Sequence, residues 1–345
     1  MTSQIKPLGG LERVKLAEAV PLDTPFTLYI FPTTFCNFKC VYCAHSQPTS
    51  ELMEQYGFSK ENMSLETLDN IIVQLKEFPK KLKVISLTGH GEPMLHKDLP
   101  EMIRRVKDAN VAERIEIISN GSLLTNKLAG EIIDAGLDIL RISLQGLNSD
   151  KYLSVCGYKL DFEEYINNLA YYYNNKRNGQ QLFVKIIDVA LEKNQEQTFY
   201  NTFENISDRM YIEFVQKVYS GVELTKNMEF HSTNRYGDTY PIQQVCPMSF
   251  FTLGIYPNGD MIPCDVIYKP VILGNVNQER ILDMWNGDKL YEFRMNQLKN
   301  GRFTNPECAR CVTPDDILRP EDILDNNKEN IIIRMEAEYE KRNRF

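Results

Sequence analysis

An α/β fold is predicted, a partial barrel of six βα units followed by a small appended domain, and three observations predict it. Short apolar β-rich runs alternate with amphipathic helical stretches from about Phe26 to Phe214. The alternation stops after Phe214. A Gly/Pro-rich hairpin segment, GIYPNGDMIPC, then opens a different pattern. Strand-helix alternation is the mark of a parallel sheet, because each parallel connection must cross back over the sheet before the next strand can pair.

Residues 1–25 form an N-terminal extension ahead of the barrel, which spans residues 26–216. Its strands are expected at Phe26–Phe31, Val84–Leu87, Arg114–Ile118, Ile139–Leu144, Leu182–Val189 and Met210–Phe214, where β-branched and aromatic residues concentrate. Between them lie helical patterns such as LETLDNIIVQLKEF, with Ser64 as its N-cap, and FEEYINNLAYYYNN, whose apolar residues recur at three and four. Residues 217–245 read as a connecting loop region. Residues 246–315 form the small domain, with a helix around Leu282–Leu298, and residues 316–345 a charged, helix-prone tail whose sticky patch is Ile331–Ile333. Parallel barrels carry their chemistry on loops at the carboxyl ends of strands, so polar motifs there are the places to look.

Composition narrows the function. The 345 residues are 43% hydrophobic and 10% aromatic, enough for one large core. Acidic residues outnumber basic ones by 47 to 39 and no Lys/Arg-rich run occurs, which argues against a nucleic-acid partner. No stretch approaches the ~20 apolar residues of a membrane span, and the segment MTSQIKPLGG lacks the apolar run of a signal peptide. A cytoplasmic protein is expected. In a reducing compartment its eight cysteines serve better as metal ligands or catalytic thiols than as disulfides.

Directly after the first strand comes TTFCNFKCVYCAHS, with Cys36, Cys40 and Cys43 spaced C-x3-C-x2-C. Three thiolates on one loop can hold three irons of a cubane and leave the fourth iron open to a small ligand. A zinc knuckle is the competing use, but zinc sites usually pair C-x2-C with a distant second pair and close at four ligands. His45, two residues after Cys43, reads either as a fourth ligand or as a solvated side chain.

With Tyr42 just before the last cysteine, this loop resembles the signature of the radical SAM enzymes, in which the open iron binds S-adenosylmethionine (SAM). The resemblance implies a 5'-deoxyadenosyl radical that abstracts hydrogen from substrate, and an electron donor such as flavodoxin or ferredoxin. Further along, SLTGHGEPMLH resembles the family's GGEP motif, with His90 in place of the first glycine and Gly91, Glu92 and Pro93 as expected. The third strand ends in ISNGSLL, resembling TNG at Ser119, Asn120 and Gly121; the fourth ends in RISLQG, resembling ISLDG, which implies a ribose contact for Ser143. Gln145 replaces the usual aspartate, which removes a charge near the strand end. Tyr42, Gly91, Glu92, Pro93, Ser119, Asn120 and Ser143 are thus the residues that the resemblance places around SAM.

Cys246, Cys264, Cys308 and Cys311 fall in the small domain. Four thiolates close a site, and spacing alone leaves structural zinc and a fully ligated iron–sulfur cluster both open. Gly259 stands ahead of Cys264 as in the SPASM extension, and the absence of that extension's later cysteines matches its shortened Twitch form, implying one auxiliary 4Fe–4S cluster. Trp285 resembles a residue of the SPASM connecting helix; core packing explains it equally.

Cys156, in YLSVCGY, is either a small buried hydrophobe or a catalytic hydrogen donor near the barrel mouth. On the fifth strand, LFVKIIDVAL, period-two alternation puts Lys185 and Asp188 on opposite faces, so one of them lines the barrel. Lys185 is the candidate substrate contact or proton acceptor. An auxiliary cluster beside a radical site suits net oxidation, and the cysteine spacing most resembles that of enzymes oxidising a cyclitol or sugar carbon, so dehydrogenation of a small polyhydroxylated metabolite is the first expectation. Peptide modification is the second, though the stretch before Phe26 is far shorter than leader-recognition domains. A non-catalytic iron–sulfur scaffold or electron carrier is the third.

Overall fold

The structure, a computed structural model, describes residues 3–7, 12–216, 222 and 233–343. Its strands are β1 (Gln4–Ile5), β2 (Thr27–Ile30), β3 (Leu82–Leu87), β4 (Ala112–Ser119), β5 (Ile139–Leu144), β6 (Gln181–Ile187), β7 (Arg209–Glu213), β8 (Thr252–Ile255), β9 (Asp260–Ile262) and β10 (Gly274–Asn275). They form one sheet in the order β1-β7-β6-β5-β4-β3-β2-β8-β9-β10. The six expected strands are β2 to β7, consecutive and parallel, as right-handed βα crossovers place them.

The helices form where the periodicity puts them. Ser64 accepts a hydrogen bond from the Thr67 N–H at the start of Leu65–Leu75, and Asp161 accepts from the Glu163 and Glu164 N–H groups at the start of Phe162–Asn175. Each satisfies amides that the first helical turn leaves unpaired. The apolar faces of these helices, with Leu99–Ala109 and Asn126–Ala135, pack on the strands in one continuous core containing Leu68, Ile71, Ile103, Ile132, Leu169 and Leu182. The other sheet face is polar. Tyr29, Thr88, Glu116, Arg141, Lys185 and Glu213, one from each strand β2–β7 or the loop directly after it, converge on a single cavity of about 500 Å³, which only a curled sheet permits. This is a partial barrel and its lumen.

Two features extend the expected architecture. Residues 4–5 of the N-terminal extension pair with β7. β8 of the small domain pairs in parallel with β2, Thr27 opposite Thr252, so the β8–β9 hairpin continues the barrel sheet instead of forming a sheet of its own. The expected helix over Leu282–Leu298 is two helices, Ile281–Asn286 and Asp288–Asn300, broken at Gly287. The tail forms the helix Lys328–Asn343 and docks on Asp288–Asn300 through buried Ile331 and Met335, a Tyr291–Tyr339 stack at 3.8 Å and a Lys299–Glu336 pair at 2.8 Å. Trp285 is buried, donates to the Leu22 carbonyl at 3.1 Å and carries Arg294 over its ring, a packing role. Most of the expected connecting loop, residues 217–221 and 223–232, lies outside the described residues. Among the described residues no helix is long and apolar enough to cross a membrane.

Candidate active site

The loop after β2 carries Cys36, Cys40 and Cys43, all free thiols of intermediate exposure. It is fastened from below by the C-terminal end of the helix Ser149–Cys156, where Lys39 N–H donates to the Cys156 carbonyl and Val41 N–H to the Val155 carbonyl, each at 2.9 Å. Phe38 plugs the loop into the core against Tyr152 and Tyr158. Burial pushes the Cys36 thiol up to about 12, with the neighbouring Cys43 adding to the rise; a hydrogen bond with Cys156 and burial raise Cys40, and burial raises Cys43. Three such thiols ionise together only when a cationic centre supplies the charge their surroundings lack. Three free thiols on one loop are the donor set of an iron–sulfur cubane with one open iron.

The loops after β3 and β4 lock onto this one. A Cβ at Gly91 would stand 2.4 Å from the Thr33 carbonyl oxygen and 2.7 Å from that of Phe35, so the GEP turn is pressed against the cysteine loop at a separation only glycine allows. Glu92 N–H donates to the Phe35 carbonyl at 2.8 Å. The Glu92 carboxylate is buried and accepts from Ser119 Oγ at 2.6 Å, Asn120 N–H at 2.7 Å and Met94 N–H at 3.0 Å. Burial raises its pKa and these donors oppose the rise. Asn120 Nδ2 donates in turn to Asn37 Oδ1, between Cys36 and Cys40, at 2.9 Å. Gly91, Glu92, Ser119 and Asn120, expected around SAM, thus spend their contacts on holding the three loops together. Replacing Glu92 with glutamine sets an amide nitrogen against the Asn120 N–H, donor facing donor. The expected loss is about 1–3 kcal/mol of stability, read as a lower urea midpoint, with weakened SAM binding.

Tyr42, Cys43 and Ser143 line one cavity of about 210 Å³ together with Lys185, Ile187 and Glu213. The Tyr42 hydroxyl donates to Gln145 Oε1, and Gln145 Nε2 donates to the Ser143 carbonyl at 3.1 Å. The position that departs from the family aspartate therefore orients Tyr42. Pro93 starts a short helical turn, Pro93–Leu95, away from that cavity.

Lys185 and Glu213 also line the lumen, so the pair sits at the boundary between the two cavities. Lys185 Nζ donates to Glu213 Oε2 at 2.6 Å, and Arg235, which pairs with Asp316, lies 4.0 Å from the same oxygen. Burial lowers the Lys185 pKa against the pull of Glu213; for Glu213 burial is outweighed by Lys185 and Arg235, which bring it to about 2. Asp188 has the opposite duty, with Oδ1 accepting from the Val189 and Val215 N–H groups at 2.9 and 2.8 Å. Cys156 does not reach either cavity. It is 1% exposed beneath the cluster loop, its thiol donating to the Tyr152 carbonyl at 2.9 Å, and that geometry gives the hydrogen-donor reading no support. His45 Nε2–H donates to the His90 carbonyl oxygen, 2.7 Å away, bracing the GEP turn.

Sequence reasoning missed much of the lumen: Arg114, Glu116, Arg141 and His90. The signal used for Lys185, a charge inside an apolar strand, is equally present in ERIEII and LRISL. His90 is half-buried among Phe31, Phe58 and Tyr256, and desolvation of its ring lowers it to about 3, so it faces the lumen as a neutral ring.

Cys246, Cys264, Cys308 and Cys311 come together from a 66-residue stretch of sequence to line one small cavity. Gly259, at φ +91°, makes the β8–β9 turn that brings Cys264 back. Arg302, buried, donates to the Cys308 and Cys311 carbonyls at 3.1 and 2.5 Å and to the Gln243 carbonyl at 2.9 Å, stapling the CxxC turn to the approach of Cys246. Burial raises all four thiols, Cys308 to about 12, and the mutual repulsion of Cys246, Cys308 and Cys311 adds to it. Met248, Val266 and Thr313 line both this cavity and the lumen, so one wall of side chains separates them.

A parallel partial barrel with an open three-thiol loop at its carboxyl end and a four-thiol site against its lumen defines an iron–sulfur enzyme. The model of the radical SAM superfamily matches residues 30–206, and that of the iron–sulfur cluster-binding SPASM domain matches residues 246–312. The chain belongs to the radical SAM superfamily, with two 4Fe–4S clusters and SAM as cofactors. It is 38% identical over 125 residues to a probable GTP 3',8-cyclase of Metallosphaera sedula and 35% identical over 124 residues to the GTP 3',8-cyclase of Helicobacter pylori, each match covering 36% of both chains. The chain thus spans little more than a third of those relatives' length. Among solved structures, Streptococcus suis SuiB bound to precursor peptide SuiA superposes with TM-score 0.60 at 18% identity, covering 88% of this chain and 73% of that one. BtrN in complex with AdoMet and 2-DOIA gives 0.53 at 18% identity, over 83% and 92%. At these identities the likeness is one of fold.

Proposed function

We propose that this chain is an oxidoreductase that dehydrogenates a small polyhydroxylated metabolite held in the barrel lumen. The observation that carries the reading is the shared wall: Met248, Val266 and Thr313 alone stand, among the lining residues, between the lumen and the four-thiol cavity. In this reading Cys36, Cys40 and Cys43 hold the SAM-binding cluster, and Cys246, Cys264, Cys308 and Cys311 the auxiliary one. When bound, SAM and the first cluster supply a radical that takes a hydrogen atom from a carbinol carbon, and the second cluster an acceptor for one electron. Loss of that hydrogen atom, then of the hydroxyl proton and one electron, converts the alcohol to a carbonyl.

The chain's own residues position and shield. Tyr42, oriented by Gln145, and Ser143 shape the cavity beside Cys43 in which the adenosyl group fits. Lys185 stands between that cavity and the lumen and contacts the substrate oxygen on the reacting carbon. The Glu213 carboxylate at 2.6 Å favours its charged form, which makes it a better stabiliser of a developing oxyanion than a proton acceptor. Lys185→Met is expected to keep 5'-deoxyadenosine formation while lowering oxidised product per deoxyadenosine by about 10²-fold or more, with partial rescue in Lys185→Arg. A lumen of about 500 Å³ suits a small molecule and disfavours an extended peptide.

A second reading, nucleotide cyclisation, is favoured by the 38% identity over 125 residues to a probable GTP 3',8-cyclase. One experiment separates the two. The anaerobically reconstituted protein is reduced with SAM and offered polyols, sugars, their phosphates, or GTP, and 5'-deoxyadenosine and product are counted. A two-electron oxidised product supports the proposal; GTP consumed to a redox-neutral cyclic product overturns it.

A further inference from the structure

The lower lumen holds more positive charge than it balances. Arg114 and Arg141 both reach Glu116, at 3.6 and 3.3 Å. Arg209 lies opposite Phe183, which lies opposite Arg141, so the two arginines stand at one level of the barrel, and strand alternation points Arg209 to the same face as Glu213. Among the described residues Glu116 is the only carboxylate in ion-pair contact with any of the three. Arg114 Nε, Arg141 Nε and Arg209 Nη1 are buried without a hydrogen-bond partner. Burial lowers the Arg114 pKa, and repulsion from Arg141 and Arg209 adds to what Glu116 opposes. The chain as a whole has net charge −8, so this concentration of cations is local and against the general balance. Unsatisfied buried guanidinium groups are costly, and forked N–H donors around a shared space match the oxygens of an anion.

We infer that Arg114 and Arg141, which line the lower end of the lumen, backed by the charge of Arg209 on the same strand row, form a phosphate-binding subsite that holds the phosphate of a phosphorylated substrate and orients the rest of it toward Lys185. Two of these cations line the lumen and the third stands on the same strand row, against one carboxylate, a surplus that suits the double charge of a phosphate monoester near pH 7 better than the single charge of a carboxylate. Glu116 fixes the guanidinium planes of Arg114 and Arg141 and competes with the ligand for them. The inference rests on the lumen being the substrate site, as proposed above, but not on which reaction follows.

The test is binding without turnover. Calorimetry on the reconstituted holoenzyme in phosphate-free buffer, with inorganic pyrophosphate, glucose 6-phosphate, glucose and glucuronate as probes, should give saturable binding of the two phosphorylated probes alone. Arg141→Gln, at unchanged iron content and thermal midpoint, should weaken pyrophosphate by about tenfold or more. Glu116→Gln should tighten it, a change of sign that misfolding cannot mimic. Absence of saturable pyrophosphate binding to the wild type, equal binding of glucuronate, or wild-type affinity in Arg141→Gln would each overturn the inference. Oxidation of an unphosphorylated polyol by an enzyme that does not bind pyrophosphate would overturn it and leave the dehydrogenase reading standing. Phosphate binding with no oxidised product from any polyol would do the reverse.

Discussion

Alanine at Cys36, Cys40 and Cys43 together is expected to reduce 5'-deoxyadenosine formation to background and to lower bound iron from about eight to about four per chain. The effect is total because, among the described residues, nothing else on the barrel's carboxyl end can replace the loop: the motifs after β3 and β4 are occupied in bracing it, Glu92 by three donors and Asn120 by Asn37. The fold should survive, since no ladder hydrogen bond passes through the three cysteines and Phe38 still anchors the loop in the core. Near-ultraviolet circular dichroism and the thermal midpoint of the iron-free protein check that point. Retained deoxyadenosine formation would place the SAM-binding cluster elsewhere.

Alanine at Cys308 and Cys311 should produce a different loss. About four irons remain, SAM is still cleaved, and oxidised product falls to background because the lumen no longer abuts an electron acceptor. Arg302 grips the CxxC turn by its main-chain carbonyls, which the substitutions keep, so the local backbone has its staple in the variant as well. Electron paramagnetic resonance of the reduced protein should show one cluster signal instead of two. Product formed at the wild-type ratio to deoxyadenosine would remove the electron-acceptor role and favour the redox-neutral reading.

Legibility differed between levels of structure for physical reasons. The helix Phe162–Asn175 and strand β5 fall on the residues that periodicity and β-propensity mark, because local pattern and tertiary demand agree there. The single expected helix around Leu282–Leu298 is split at Gly287, whose backbone is extended and where a Cβ would lie 2.8 Å from the Asp283 carbonyl oxygen, so glycine permits the break; Trp285 and Leu290 on either side of it are buried in the same core. Lys185 rather than Asp188 faces the lumen, as alternation along β6 requires once the core face is fixed by Val184 and Ile186. Cys156 reads in sequence as near the barrel mouth, yet the helix that carries it passes under the cysteine loop, and no local feature reports depth.

By itself the sequence determined the βα alternation, the order of the loops at the carboxyl ends of the strands, and the division of seven cysteines into a group of three and a group of four. Each of these is set by short-range spacing, which chain geometry converts directly into position. Tertiary structure alone decided that the small domain's hairpin extends the barrel sheet through β8 and β2, that the four-thiol cavity shares a wall with the lumen, and that Arg114 and Arg141 converge on Glu116. Those are consequences of strand register and sheet curvature, properties of residues far apart in the chain, and they place the residues proposed to choose and oxidise the substrate.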